Sequence, residues 1–125
     1  MKAKAVDFIA YNVNDMDRAE AFYRDTLGLR VLRPRGAPGT RSNGFMEFDA
    51  GGTAIGLTAM GPLPNAAMAL AVDDVRAAIA ELGANGVEIG LEPVDTGDCV
   101  IATISDPDGN VIIIHRRDDG TFGQE

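Results

Sequence analysis

The sequence predicts an α+β fold in which two βαβββ modules build one curved mixed sheet around a concave cleft. Three observations carry that prediction. The order strand, helix, then three strands is written twice along the 125 residues. Val13-Asn14-Asp15-Met16 and Val72-Asp73-Asp74-Val75, each at a strand-to-helix junction, repeat at an offset of 59 residues. Between the two halves lies Gly61-Pro62-Leu63-Pro64-Asn65, where two prolines forbid a helix and the composition shifts.

Residues 5–13 read as a strand with two apolar faces, Ile9, Tyr11 and Val13 on one and Val6, Phe8 and Ala10 on the other. Asn14 or Asp15 caps an amphipathic helix over 16–27, whose apolar positions Met16, Ala19, Phe22, Tyr23 and Leu27 recur at helical steps until Gly28 stops them. A short strand follows at 29–33, then a turn-rich loop at 34–43. Strands at 44–49 and 53–59 form a hairpin across Ala50-Gly51-Gly52. This first module spans 5–60 and the linker 61–65. The second, 66–117, opens with a strand at 66–72. Asp73 caps a helix through Val75, Ala78, Ile79 and Leu82, ended by Asn85-Gly86, and strands at 87–94, 99–104 and 111–116 complete it. The tail, 118–125, is polar and reads as frayed.

Composition narrows the function. With 11 Lys+Arg against 19 Asp+Glu the net charge is −8, which repels nucleic acids and anionic membrane surfaces. No apolar run approaches the roughly 20 residues that span a bilayer. A single cysteine, Cys99, forms no intramolecular disulfide, and Asp7 interrupts the N-terminus before an apolar signal region, so a reducing, cytoplasmic setting is expected. The 46% apolar content is padded with alanine, alongside 15 glycines and no tryptophan.

Several motifs carry a family likeness. Val13-x-Asp15-Met16, Phe22-Tyr23-x-x-x-Leu27-Gly28-Leu29, Val72-Asp73-Asp74 and Asp106-Pro107-Asp108-Gly109-Asn110 before a last apolar strand resemble the vicinal oxygen chelate superfamily. That superfamily contains glyoxalase I, extradiol dioxygenases, fosfomycin-resistance enzymes and bleomycin-resistance proteins. The motifs describe packing and turns, with Phe22 and Leu27 on the helix face and a proline-glycine turn before the strand, so they speak for the fold before the reaction. The resemblance implies one metal ligand, usually His, Glu or Gln, on the first, fourth, fifth and eighth strands. Registered on the motifs, those places hold Phe8, Gly56, Ala67 and Ile113, none of which offers a lone pair to a divalent cation. Among their immediate neighbours only Asp7 is a candidate ligand. Metal: none, cofactor: none and catalytic residue: none is therefore the expectation.

In place of ligands the inferred cleft face carries Phe8, Ala10, Ala54, Gly56, Ala67, Ala69, Cys99, Ile101, Ile113 and His115. One reading is an apolar pocket for a flat or aromatic ligand stacked on Phe8. The other is that the half-sheets close more tightly over small residues. His115 serves either as a polar strand end or as a general base, ligand contact or displaced metal ligand. Cys99 reads as a small buried hydrophobe unless a cation stands beside it, and none is near it in sequence. Arg30, Arg33, Arg35 and Arg41 form either a positive lip for a ligand's anionic group, with Arg41 in the site, or a solvated loop balancing nearby acids. Glu47, mid-strand between Phe45 and Asp49, is either cleft-facing or an outward polar position on a half-buried strand, the outward reading being preferred. Asp15, Asp17, Asp73 and Asp74 belong to helix starts.

Two function classes follow. The first is a metal-independent homodimer that binds, and so sequesters, a small apolar or aromatic molecule. The second is a divalent-metal lyase, isomerase or dioxygenase with relocated ligands, drawing on His115 with Asp7 or Glu47. A scaffold acting only through its dimer surface is a third.

Overall fold

Strand β1 (Ala5–Asn12) pairs antiparallel with β5 (Ala67–Ala71), and this seam joins the two halves of the chain in the computed structural model. Residues 1–36, 44–59 and 65–123 are described; Arg41 and positions 61–64 of the predicted linker lie outside them. On one side of the seam β1 runs parallel to β4 (Ala54–Thr58), followed by β3 (Phe45–Asp49) and β2 (Arg30–Arg33). On the other, β5 runs parallel to β9 (Val111–Arg117), followed by β8 (Cys99–Ser105), which pairs with β6 (Glu88–Ile89) and β7 (Val94–Asp95). The result is the expected α+β architecture, a nine-stranded curved mixed sheet with two helices.

Period-two alternation divides the apolar residues between two faces. On the helix side, α1 (Met16–Ala21) packs Met16 and Ala19 on Met46, Phe48 and Leu57. Likewise α2 (Val75–Ala84) packs Val75, Ala78 and Ile79 on Ala102, Ile104 and Ile114. The opposite face carries its own cluster, including Phe8, Ala10, Ala54, Ala67, Ala69 and Ile113, against which Leu32 and Phe45 lean. No described helix is long and apolar enough to cross a membrane.

Four sequence expectations need correction. The helix predicted over 16–27 is α-helical only to Ala21; Phe22–Thr26 is a π-turn, closed by Leu27 N–H donating to the Phe22 carbonyl. The wider turn rotates the face, so Phe22 and Leu27 are 45% and 51% exposed while Tyr23 stacks on Phe48 at 5.8 Å. Second, Asp74 rather than Asp73 caps the second helix, accepting from the Ala77 amide as Asp15, one of the two residues expected, does from Arg18 in the first, while Asp73 pairs with Lys4. Third, the strand predicted over 87–94 is two short pieces on one neighbour, interrupted before Pro93, which has no amide to donate. Fourth, the tail is pinned through residue 123: Thr121 and the Gly123 carbonyl accept from Arg117, and the Gly123 amide donates to Asp7.

The interruption in the third of these depends on Gly90. A Cβ there would lie 2.7 Å from Thr103 Oγ1, which accepts from the Leu91 amide. Gly90→Ala is expected to destabilise the fold by about 1–3 kcal/mol, because the hydroxyl must leave its bond or the strand must shift. Urea unfolding of the variant checks this.

Candidate functional site

Two register shifts determine which charged residues enter the cleft. In the β1/β5 ladder Val6 faces Leu70 and Phe8 faces Ala69, so Asp7 is an extra residue on a bulge. A bulge places consecutive side chains on one side. Val6 is thereby left exposed, while Asp7 turns inward with Phe8, and both touch His115. In the β2/β3 ladder Val31 faces Phe48 and Arg33 faces Glu47, with Leu32 as the extra residue. This bulge brings Leu32 to the inner apolar cluster and Arg33 to the Glu47 carboxylate.

Glu47 is therefore not an outward position. It lies on β3 directly opposite Gly56, 2% exposed. Arg117 completes the group, reached by continuing the alternation Ile113, His115, Arg117 along β9. His115 Nδ1 is 2.6 Å from Asp7 Oδ2, Arg117 Nη2 is 3.1 Å from Asp7 Oδ1, and the Gly123 amide donates to the same Oδ1 at 2.7 Å. Arg117 Nη2 stands 3.6 Å from Glu47 Oε1, and Arg33 Nε 3.7 Å from Glu47 Oε2. Cys99 and His115 are diagonal neighbours on the β8/β9 ladder, and the thiol interacts with the ring. The cation absent from its sequence neighbourhood thus arrives from another strand.

Burial and charge set the protonation states. Burial alone would raise the Asp7 carboxyl, but the His115 hydrogen bond, the His115 and Arg117 charges and the Gly123 amide together hold it below the ordinary range. Burial pulls His115 down, yet the Asp7 bond and the Cys99 contact outweigh it and push the ring up to about 9. Burial raises Glu47 to about 7, against the attraction of Arg117 and Arg33. Near neutral pH, Arg33, protonated His115 and Arg117 thus face Asp7 and a half-ionised Glu47. Glu47 Oε1 has no hydrogen-bond partner among the described residues. Leaving such a buried oxygen bare costs about 1–3 kcal/mol.

The predicted cleft residues come together. Phe8, Ala54, Ala67, Ala69, Ile101 and Ile113 form one buried cluster, with Gly56, Cys99 and His115 on the same face. Over Gly56 the space is taken by rings: a Cβ would meet Phe8 at 3.0 Å and Phe45 at 3.1 Å, and the two rings meet edge to face at 5.5 Å. A cavity of about 270 Å³ is lined by Lys4, Ala71, Asp73, Arg116, Thr121 and Phe122 among others, none of them a predicted site residue. In the basic segment Arg30 pairs with Asp49, and Arg35 with Asp17 and Glu20, which is the charge-balancing arrangement.

A divalent cation does not fit these residues. Phe8, Gly56, Ala67 and Ile113 present no donor atoms, and rings cover Gly56. Of the nearby donors, Asp7 is engaged by His115, Arg117 and Gly123, and His115 by Asp7 and Cys99, which leaves Glu47 Oε1 as a lone carboxylate oxygen with the Arg117 guanidinium 3.6 Å away. Among the described residues no cluster of three His, Cys, Asp or Glu is arranged to hold a metal.

Paired half-sheets with a helix on each outer side and an enclosed inner face define a two-module α+β cleft protein. The chain belongs to the Glyoxalase/Bleomycin resistance protein/Dioxygenase superfamily, whose family model matches residues 5–114. It is 32% identical over 114 residues to a lactoylglutathione lyase of Haemophilus influenzae, a match covering 78% of this chain and 81% of that one. It is 34% identical over 113 residues to a probable chloroplastic lactoylglutathione lyase of Arabidopsis thaliana, covering 81% of this chain but 32% of the relative. Among solved structures, a Streptomyces coelicolor methylmalonyl-CoA epimerase superposes with a TM-score of 0.65 at 20% identity, covering 94% of this chain and 96% of that one. At that identity the likeness is one of fold.

Proposed function

We propose that this chain is a metal-independent member of its superfamily that binds a small, partly aromatic molecule in its cleft and sequesters it without transforming it. The observation supporting this reading is the inner wall itself: the four positions where the resemblance puts metal ligands are Phe8, Gly56, Ala67 and Ile113, and two aromatic rings close over the glycine. Such a surface favours flat apolar matter over a hydrated cation. Phe8, Ala54, Gly56, Ala67, Ala69, Cys99, Ile101, Ile113 and His115 line it. Lactoylglutathione lyase, the activity named for its relatives, is not carried over, because the described residues offer no donor set for metal-dependent isomerisation. A second copy is expected to complete or flank the cleft, since β2 and β6 are the end strands of the sheet among the described residues and end strands favour pairing.

The enzyme reading draws support from the meeting of Asp7, His115 and Glu47, the residues it requires. The pairing of Asp7 and Glu47 with Arg117, and of His115 with Asp7, argues against relocated metal ligation. Elemental analysis of protein purified without chelator, with mass spectrometry of small molecules released on denaturation, separates the two. Metal-free protein releasing an aromatic compound is the expected result. A stoichiometric transition metal that is lost in His115→Ala overturns the binding reading.

A further inference from the structure

We infer that the cleft ligand is an uncharged aromatic molecule carrying a hydrogen-bond donor, a phenolic hydroxyl being the simplest, and that Glu47 Oε1 accepts that donor. The inference rests on the binding reading and adds the ligand's chemical class. Its basis is the placement of one side chain. Glu47 stands opposite Gly56 in the small-residue wall, 2% exposed, and its Oε1 has no hydrogen-bond partner among the described residues. The closest cation, Arg117 Nη2, is 3.6 Å away, beyond hydrogen-bonding reach and already bonded to the Gly123 carbonyl and paired with Asp7. A buried carboxylate oxygen in that state lacks a donor that water or a ligand must supply.

The surrounding charges select the kind of donor. Arg33, protonated His115 and Arg117 already balance Asp7, Glu47 and the exposed Asp119 that stands near the two arginines. An ammonium group would add a fourth cation to this cluster. A carboxylate would bring no donor and would face Glu47. A neutral hydroxyl or amide N–H satisfies Oε1 without either conflict. The rings of Phe8 and Phe45 beside Gly56, with the half-buried Phe45 on the outer side of the pair, supply the edge-to-face surface an aromatic ligand needs.

The test compares phenol with methoxybenzene, which differ in the donor alone, by ligand-observed NMR on the full chain. About pH 8 suits it, above the Glu47 titration and where phenol is still neutral. Phenol is expected to bind about ten-fold tighter or more, and the ratio to fall to about one in Glu47→Leu. Glu47→Gln keeps side-chain shape and an acceptor oxygen without the charge, so its ratio is expected to be reduced but above one. It also carries the variant arm if the leucine protein does not fold. Equal affinities in the wild type, or a ratio unchanged by both variants, overturn the donor assignment while leaving the binding reading intact. Failure of both probes to bind, together with no compound released on denaturation, overturns both.

Discussion

Asp7→Ala is expected to cost the folded chain about 3–5 kcal/mol, a loss typical of removing one partner from a buried charge network. Asp7 is fully buried and is the common acceptor for His115, Arg117 and the Gly123 amide. Its removal leaves an imidazolium and a guanidinium balanced by Glu47 and the exposed Asp119, and frees the Gly123 amide of the tail. Urea unfolding measures the loss. A second readout comes from the single histidine of the chain, whose ring resonance titrates alone. It is expected to move from about 9 toward the ordinary value of 6.5, because the leading upward contribution is the Asp7 bond. Asp7→Asn retains an acceptor oxygen and is expected to lose less stability while still lowering the titration. A cost under about 1 kcal/mol with an unmoved titration would show that water, not Asp7, compensates the cations.

The residues of this network also show what the sequence makes legible. The repeated strand-helix order, Val13 against Val72 and the Asp106-Pro107-Asp108-Gly109-Asn110 turn are local or periodic signals, and they fixed the architecture and the small-residue wall. Alternation counts Asp7 out of phase with Phe8, so the sequence offers it only as a neighbouring candidate ligand, and a bulge in the β1/β5 ladder brings the two to one side. Glu47 favours the outward reading for a related reason. Its partners Arg33 and Arg117 lie on β2 and β9, one across a second bulge and the other in the opposite half of the chain. A lone acidic residue on a strand reads as outward until such partners are known. Arg117 was within reach of the sequence: extending Ile113 and His115 by one more period of two arrives at it. The π-turn at Phe22–Thr26 has no comparable signal, since Phe22, Tyr23 and Leu27 fit an α-helical face equally well.

Stability is expected to fall as pH rises from about 5 to about 9, the reverse of the trend for a protein whose carboxylates are simply well paired. Glu47 is raised by burial from 4.5 to about 7, so the folded state keeps a proton that the unfolded chain releases, and stability drops across that window. His115 is raised from 6.5 to about 9, so its contribution is complete below 6.5 and is lost as pH climbs to about 9. Each displacement corresponds to about 3 kcal/mol at most, and the two windows join end to end. Asp7 acts in the opposite sense and only in acid: its lowered value adds stability above 3.8 that is lost as pH falls. Self-repulsion of a chain with net charge −8 at pH 7 runs in the same direction as the first two groups. Urea midpoints are therefore best compared in about 1 M salt, where screening shortens to about 3 Å and the surface contribution fades. Under those conditions Glu47→Gln is expected to flatten the limb below about 7, and His115→Gln the limb above it. A wild-type midpoint that is level or rising from about pH 5 to 9 would mean that Glu47 ionises freely and that the cations around it, rather than burial, control the site.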